Sequence, residues 1–274
     1  MQGFKLGICE WAFPLPGPAG LRMAAEFGLR GVELLLGDYE KGFPLSNPRI
    51  QDRYLEEGAK HNIAFPSIAL NSMDDHGMSN PMESVDGLIA VECLKKGIAT
   101  AAAMKIPLVQ VPSFGSGAID DAVALRNTCE KLRMACRLAA EHGIMVASEN
   151  NLSAEETGRM VAEVASDNFR IFYDTQNYYL NRGYSQPDIL REIHPYVIQL
   201  HIKDGYNGHL SSSLIGCGET NFRETARVIN ETRCSEWLIF ENYYNHRPLS
   251  DLHEDPFELL ARDIALAGEF FPLS

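Results

Sequence analysis

Short hydrophobic runs rich in β-branched and aromatic residues recur along the chain, each bounded by polar, Gly or Pro residues. Eight read as strands: 5–9, 31–36, 64–70, 108–111, 144–149, 169–174, 197–201 and 237–241. Runs of this length with little polar alternation suit strands buried on both faces, as in a parallel sheet. Amphipathic stretches separate them at 18–27, 48–61, 82–105, 120–142, 153–165, 186–194, 222–232 and 256–270. Several carry helix punctuation: Pro18 at a first helical position, Ser153-Ala-Glu-Glu156 as a capping box, and His142-Gly143 at the close of the fourth helix. Eight β/α units in order predict an α/β fold, a (β/α)8 TIM barrel as a single domain over 1–274. A doubly wound open sheet is the lesser alternative.

The last four runs share a second property, because each ends in a side chain that binds metal well: Glu149, Asp174, His201 and Glu241. All strand C-termini of a parallel barrel open on one face, so these groups can meet there as three carboxylates and one imidazole around a divalent cation. The intervals, 174 − 149 = 25, 201 − 174 = 27 and 241 − 201 = 40 residues, each suit a strand, a helix and a return. A single polar residue past a strand is ordinarily a loop residue or a helix cap. Agreement across four consecutive strands is what raises the metal site above that reading.

Composition narrows the classes. A chain of 274 residues with 45% hydrophobic content fits one large barrel with a substantial core. Its six cysteines form no Cys-x-x-Cys pair, so they read as reduced packing residues rather than a zinc knuckle or a disulfide framework. No apolar run approaches the roughly 20 residues that span a bilayer, and the start of the chain lacks a signal-peptide pattern, so no membrane partner and a cytoplasmic location are expected. A net charge of −13 with no Lys/Arg stripe disfavours nucleic acid.

The segments Leu6-Gly-Ile-Cys-Glu-Trp-Ala-Phe-Pro14, Pro66-Ser67, Asp174-Thr-Gln-Asn177, His201-Ile-Lys-Asp204, Gly216-Cys-Gly218 with Phe222, and Glu241 together resemble the xylose isomerase-like barrels of sugar isomerases and epimerases. Within that family the chain is most similar to the L-ribulose-5-phosphate 3-epimerase and hexulose-6-phosphate isomerase-like branch. The resemblance implies one divalent metal held by Glu149, Asp174, His201 and Glu241. Mn²⁺, Mg²⁺ or Co²⁺ suits such a donor set, and Zn²⁺ is not excluded. Where this chain has Leu70-Asn-Ser-Met-Asp-Asp-His76, many relatives carry a His soon after the third strand; Asn71 stands near that place here. Asp174-x-x-Asn177 is closer to the sugar-phosphate branch than to the Asp-x-x-His of free-ketose 3-epimerases.

The implied activity is isomerisation or epimerisation of a sugar or sugar phosphate, most simply 3-epimerisation of a ketose. Abstraction of a proton beside a carbonyl gives an enediolate that a cation stabilises, and Glu149 and Glu241 on opposite faces of it can act as catalytic acid and base. Candidate substrate contacts are Glu10, Trp11, Asn71, Asn177 and Lys203; for Lys203 the bland alternative is an ion pair with Asp204 or Glu219. The Gly216-Cys-Gly218 amides are either an anion cradle or a tight turn. His209 and His246 are set apart from the remaining loop and helix histidines, which read as surface residues. The same barrel chemistry also accommodates a metal-dependent dehydratase of the inosose or dehydroshikimate type. A non-catalytic sugar-binding barrel and an abasic-site endonuclease fit less well. A homo-oligomer is compatible with the sequence.

Overall fold

The computed structural model describes residues 3–274. Eight parallel strands close into a barrel in the order β1 to β8: Lys5–Cys9, Gly31–Leu35, Ile68–Ala69, Leu108–Pro112, Met145–Glu149, Phe169–Asp174, Val197–Ile202 and Trp237–Phe240. Nine α-helices occur among the described residues: α1 Leu21–Glu26, α2 Pro48–His61, α3 Val85–Met104, α4 Ala122–Ala140, α5 Ala154–Val164, α6 Asn177–Arg182, α7 Gln186–Ile193, α8 Phe222–Thr232 and α9 Pro256–Phe270. None is long and apolar enough to cross a membrane. The repeated βα order expected from the sequence is therefore present, as a closed barrel and not an open sheet.

Contacts gather the chain into two compact units. One comprises, among the described residues, 3–32, Glu57–Ala64 and Tyr173–Ser274, and within it β1 pairs with β8 and β7 with β8. The other comprises Glu33–Glu56 and Phe65–Phe172, in which β3, β4 and β5 pair in sequence. Apolar strand residues such as Ile8, Val109, Ile171, Leu200 and Ile239 are closed to solvent.

Helix starts follow the side-chain chemistry at their caps. Ser84 accepts Gly87 N at 3.0 Å ahead of α3, and Asp121 accepts Val123 N and Ala124 N at 2.8 Å ahead of α4. Ser153 and Glu156 form the expected capping box of α5. Each satisfies amides that the helix cannot pair internally.

Three elements differ from the sequence reading. The third strand is regular only at Ile68–Ala69, because Pro66 offers no amide to a ladder; Leu34 N still bonds Ser67 O at 3.1 Å, so the backbone runs alongside β2 without a full strand. The expected helix at 18–27 is split into a tight turn, Pro18–Gly20, and α1. The short α6 is an addition that has no periodic pattern of its own.

Candidate metal and acid/base site

The register of β7 against β8 sets Leu200 beside Leu238, His201 beside Ile239 and Ile202 beside Phe240. Glu241 N then bonds Ile202 O at 3.1 Å, so pairing continues one step past β8 and brings Glu241 level with Lys203. Side chains two apart on a strand share a face, so His201 and Lys203 point the same way. His201 Nδ1 lies 3.2 Å from Glu241 Oε2 and 3.9 Å from Asp174 Oδ2. Lys203 Nζ donates to Glu241 Oε2 at 2.5 Å and lies 3.1 Å from Asp174 Oδ2. This is neither of the two ion pairs weighed for Lys203, because Asp204 and Glu219 are not its partners in these contacts.

Asp174 is held from the other side. Its Oδ1 accepts Gln176 N at 2.7 Å and Asn177 N at 2.6 Å, which starts α6 and turns Oδ2 toward Lys203. Thr175 locks the neighbouring strand ends, donating to Lys203 O at 2.7 Å while accepting Lys203 N at 2.9 Å. These bonds hold the Asp174 carboxyl and the Lys203 backbone in place.

The buried charges are unequal. Burial raises Asp174, and Glu241 raises it further, against the pull of Lys203 and His201; the net direction is upward. Burial also pushes Glu241 up, but Lys203 and His201 outweigh it and hold this carboxyl well below the usual range. Glu241 Oε1 also accepts Trp11 Nε1 at 3.0 Å, a bond that favours the charged form of the carboxyl. The Trp11 ring meets His201 edge-on, with centroids 5.9 Å apart.

Glu149 closes β5, in register with Pro112 of β4, and is buried. Gln110 Nε2 donates to its Oε2. Glu149, Asp174, His201 and Glu241 each offer one ligand atom, and these atoms all lie within 4.8 Å of one another. Two ligands on one ion bound at roughly 2.0–2.6 Å can stand no more than about 5 Å apart, so the separation fits a single divalent cation. The donor set, three carboxylates with one imidazole, suits a hard or borderline ion.

Other sequence candidates are placed differently. Asn177 is buried at the first position of α6, and Asn71 is half-buried in the turn Asn71–Asp74 after β3. Glu10 Oε1 accepts Gly17 N at 3.2 Å and so braces its own loop. Gly216 N and Gly218 N both donate to Asp204 Oδ2 at 3.0 Å, and Thr220 Oγ1 donates to Asp204 Oδ1 at 2.8 Å. The chain's own carboxylate thus fills the cradle that an anion could have used. A Cβ at Gly218 would meet Asp204 Oδ1 at 2.3 Å, so glycine is required there. His209 and His246 are exposed, which corrects the distinction drawn for them.

Three features escaped the sequence reading. Cys9, taken as packing, offers its sulfur within 4.8 Å of ligand atoms of His201 and Glu241. Gln110 gave no signal as the partner of Glu149, since a Gln inside a hydrophobic strand announces burial but not its acceptor. Asp263 was read only as part of an amphipathic helix.

Comparison with known proteins agrees with this architecture. The family model described as xylose isomerase-like TIM barrel matches residues 21–263. A 2-epi-5-epi-valiolone 7-phosphate 2-epimerase of Actinoplanes sp. (strain ATCC 31044 / CBS 674.73 / SE50/110) is 30% identical over 242 residues, covering 88% of this chain and 87% of its own. Among solved structures, a xylose isomerase domain protein from Planctomyces limnophilus superposes with a TM-score of 0.77 at 15% identity, covering 98% of this chain and 97% of its own. D-psicose 3-epimerase from Clostridium cellulolyticum H10, solved with D-tagatose, gives 0.73 at 16% identity, with 97% of each chain covered. At these identities the two structures speak for the fold alone, whereas the family model spans most of the sequence. The chain belongs to the xylose isomerase-like TIM barrel family.

Proposed function

We propose that this isomerase is a divalent-metal-dependent epimerase of a small ketose or ketose phosphate. The observation that carries the proposal is the gathering of Glu149, Asp174, His201 and Glu241 within 4.8 Å. These four residues would hold the ion, Mn²⁺, Mg²⁺ or Co²⁺, with Zn²⁺ also suited to the set. When bound, the ion supplies Lewis-acid stabilisation of negative charge on the substrate oxygens. Epimerisation is favoured by the 30% identical relative, which is named as a 2-epimerase of a 7-phosphate.

The chain's own groups supply the proton chemistry. One of Glu149 and Glu241 removes the proton from the carbon beside the carbonyl, and the electron pair of that C–H bond moves into the enediolate. The other carboxyl returns a proton to the opposite face of the same carbon, which inverts it with no change in mass. Glu241 is suited to the base role because Lys203 and His201 keep it ionised despite burial. Trp11, bonded to Glu241 and packed on His201, would wall the sugar backbone, with Glu10, Asn71, Asn177 and Lys203 as further contacts.

The test is solvent exchange. Metal-loaded protein is incubated in deuterated water with a panel of pentuloses, hexuloses and their phosphates. The expected result is one deuterium at the carbon beside the carbonyl, with an inverted centre, abolished by chelation. Glu149→Gln and Glu241→Gln should each lower turnover by at least about 10²-fold with metal content measured. Loss of water with a new ultraviolet band would replace epimerisation by the dehydratase reading, and no exchange on any substrate would overturn both.

A further inference from the structure

Asp263 is fully buried in α9, a helix that contributes none of the proposed reacting groups. Burying a carboxyl is costly unless its oxygens are bonded, so its partners indicate its role. Oδ1 accepts Ile215 N at 2.9 Å, in the loop after β7. Oδ2 accepts Asn242 Nδ2 at 2.7 Å and Tyr244 OH at 2.9 Å, both just beyond Glu241. Asn242 Nδ2 also donates to Ser213 O at 3.1 Å, and Ser211 Oγ donates to Glu241 O at 3.0 Å. One carboxyl on a helix therefore ties the segment leaving β8 to the loop that covers it.

We infer that Asp263 is a positioning residue for Glu241. It fixes the direction in which the chain leaves β8, and through Ile215 and Ser213 it seats the 205–221 loop against Glu241. The inference rests on the reading of Glu241 as ligand and acid/base group, but the placement it asserts can be measured without that chemistry. Groups behind a metal ligand commonly change affinity or activity by roughly 10–100-fold when altered.

The variant is Asp263→Asn, equal in size but presenting a donor where Asn242 and Tyr244 already donate. The placement readout is the indole N–H resonance of Trp11 in a ¹⁵N spectrum, since Trp11 Nε1 bonds Glu241 Oε1 at 3.0 Å. The chain has two tryptophans, so Trp237 serves as internal control and Trp11→Phe assigns the peaks. The expected result is a shift of the Trp11 signal with Trp237 unmoved, and Co²⁺ affinity about 10-fold weaker or more. If Asp263→Asn does not fold, Tyr244→Phe removes one of the three donors and is read in the same way. An unmoved Trp11 signal overturns the inference. A Trp11 shift in Asp263→Asn, together with wild-type protein that neither binds Co²⁺ nor exchanges substrate protons, sinks the proposed function but leaves the positioning intact.

Discussion

Trp11 Nε1 donates to Glu241 Oε1 at 3.0 Å, joining the end of β1 to the end of β8 across 230 residues of sequence. The Trp11 ring was singled out as a sugar-packing surface, yet its polar atom is committed to the proposed acid/base carboxylate. Hydrogen bonds to charged groups contribute roughly 1.5–3 kcal/mol, so Trp11→Phe, which keeps the ring against His201, should lower kcat by about 10-fold or more. Steady-state kinetics with metal content measured would check this. A kcat equal to wild type would show that the bond does not orient Glu241.

Lys203 bridges Asp174 and Glu241 with its stem and ammonium almost wholly buried. Removing one partner from a buried ionic cluster costs about 3–5 kcal/mol. Lys203→Met should therefore lower the Tm of metal-free protein by on the order of 10 °C. Saturating Mn²⁺ should narrow that gap, because the cation compensates the same two carboxylates. Calorimetry with and without metal reads the difference directly, and an equal loss in both states would refute a shared electrostatic role.

His76, the histidine displaced from the usual family place, clasps two acidic residues. Its Nδ1 is 2.8 Å from Asp86 Oδ1 and its Nε2 is 3.1 Å from Glu40 Oε1, with the Tyr39 ring edge-on at 5.5 Å. The Asp86 hydrogen bond raises its pKa, burial opposes, and Glu40 adds to the rise. A folded pKa above the unfolded 6.5 means the stabilisation is fully present below that value and is lost as pH rises through the folded one. The stability difference between wild type and His76→Gln, measured by urea unfolding, should shrink from about pH 6 to about pH 9. A constant difference would mean that the clasp does not depend on the imidazolium.

Gly77 packs directly on the next loop. A Cβ there would stand 2.1 Å from Gly117 Cα and 2.3 Å from Gly117 N, and these are backbone atoms that cannot swing aside. Gly77→Ala should destabilise by about 1–3 kcal/mol, the usual range for overpacking. Denaturant midpoints would show it; a neutral result would mean that the two loops separate freely.

The alternation of strands and helices was legible in the sequence because burial on both faces demands continuous apolar runs, and helix caps demand particular side chains. Glu149, Asp174, His201 and Glu241 stood out for the same reason, since a charged residue at the end of such a run is conspicuous. What only the tertiary structure decided is how those groups are paired. Lys203 could reach several acids by sequence distance, and the β7–β8 register chose Glu241. The Gly216-Cys-Gly218 amides could have faced a ligand, but a turn of the loop gave them to Asp204. Asp263 looked like one polar position of an amphipathic helix, and the packing of α9 turned it inward to Asn242, Tyr244 and Ile215. Periodicity records which face of an element is buried; it does not record the partner, because partners come from segments tens of residues away whose approach is set by the closed barrel.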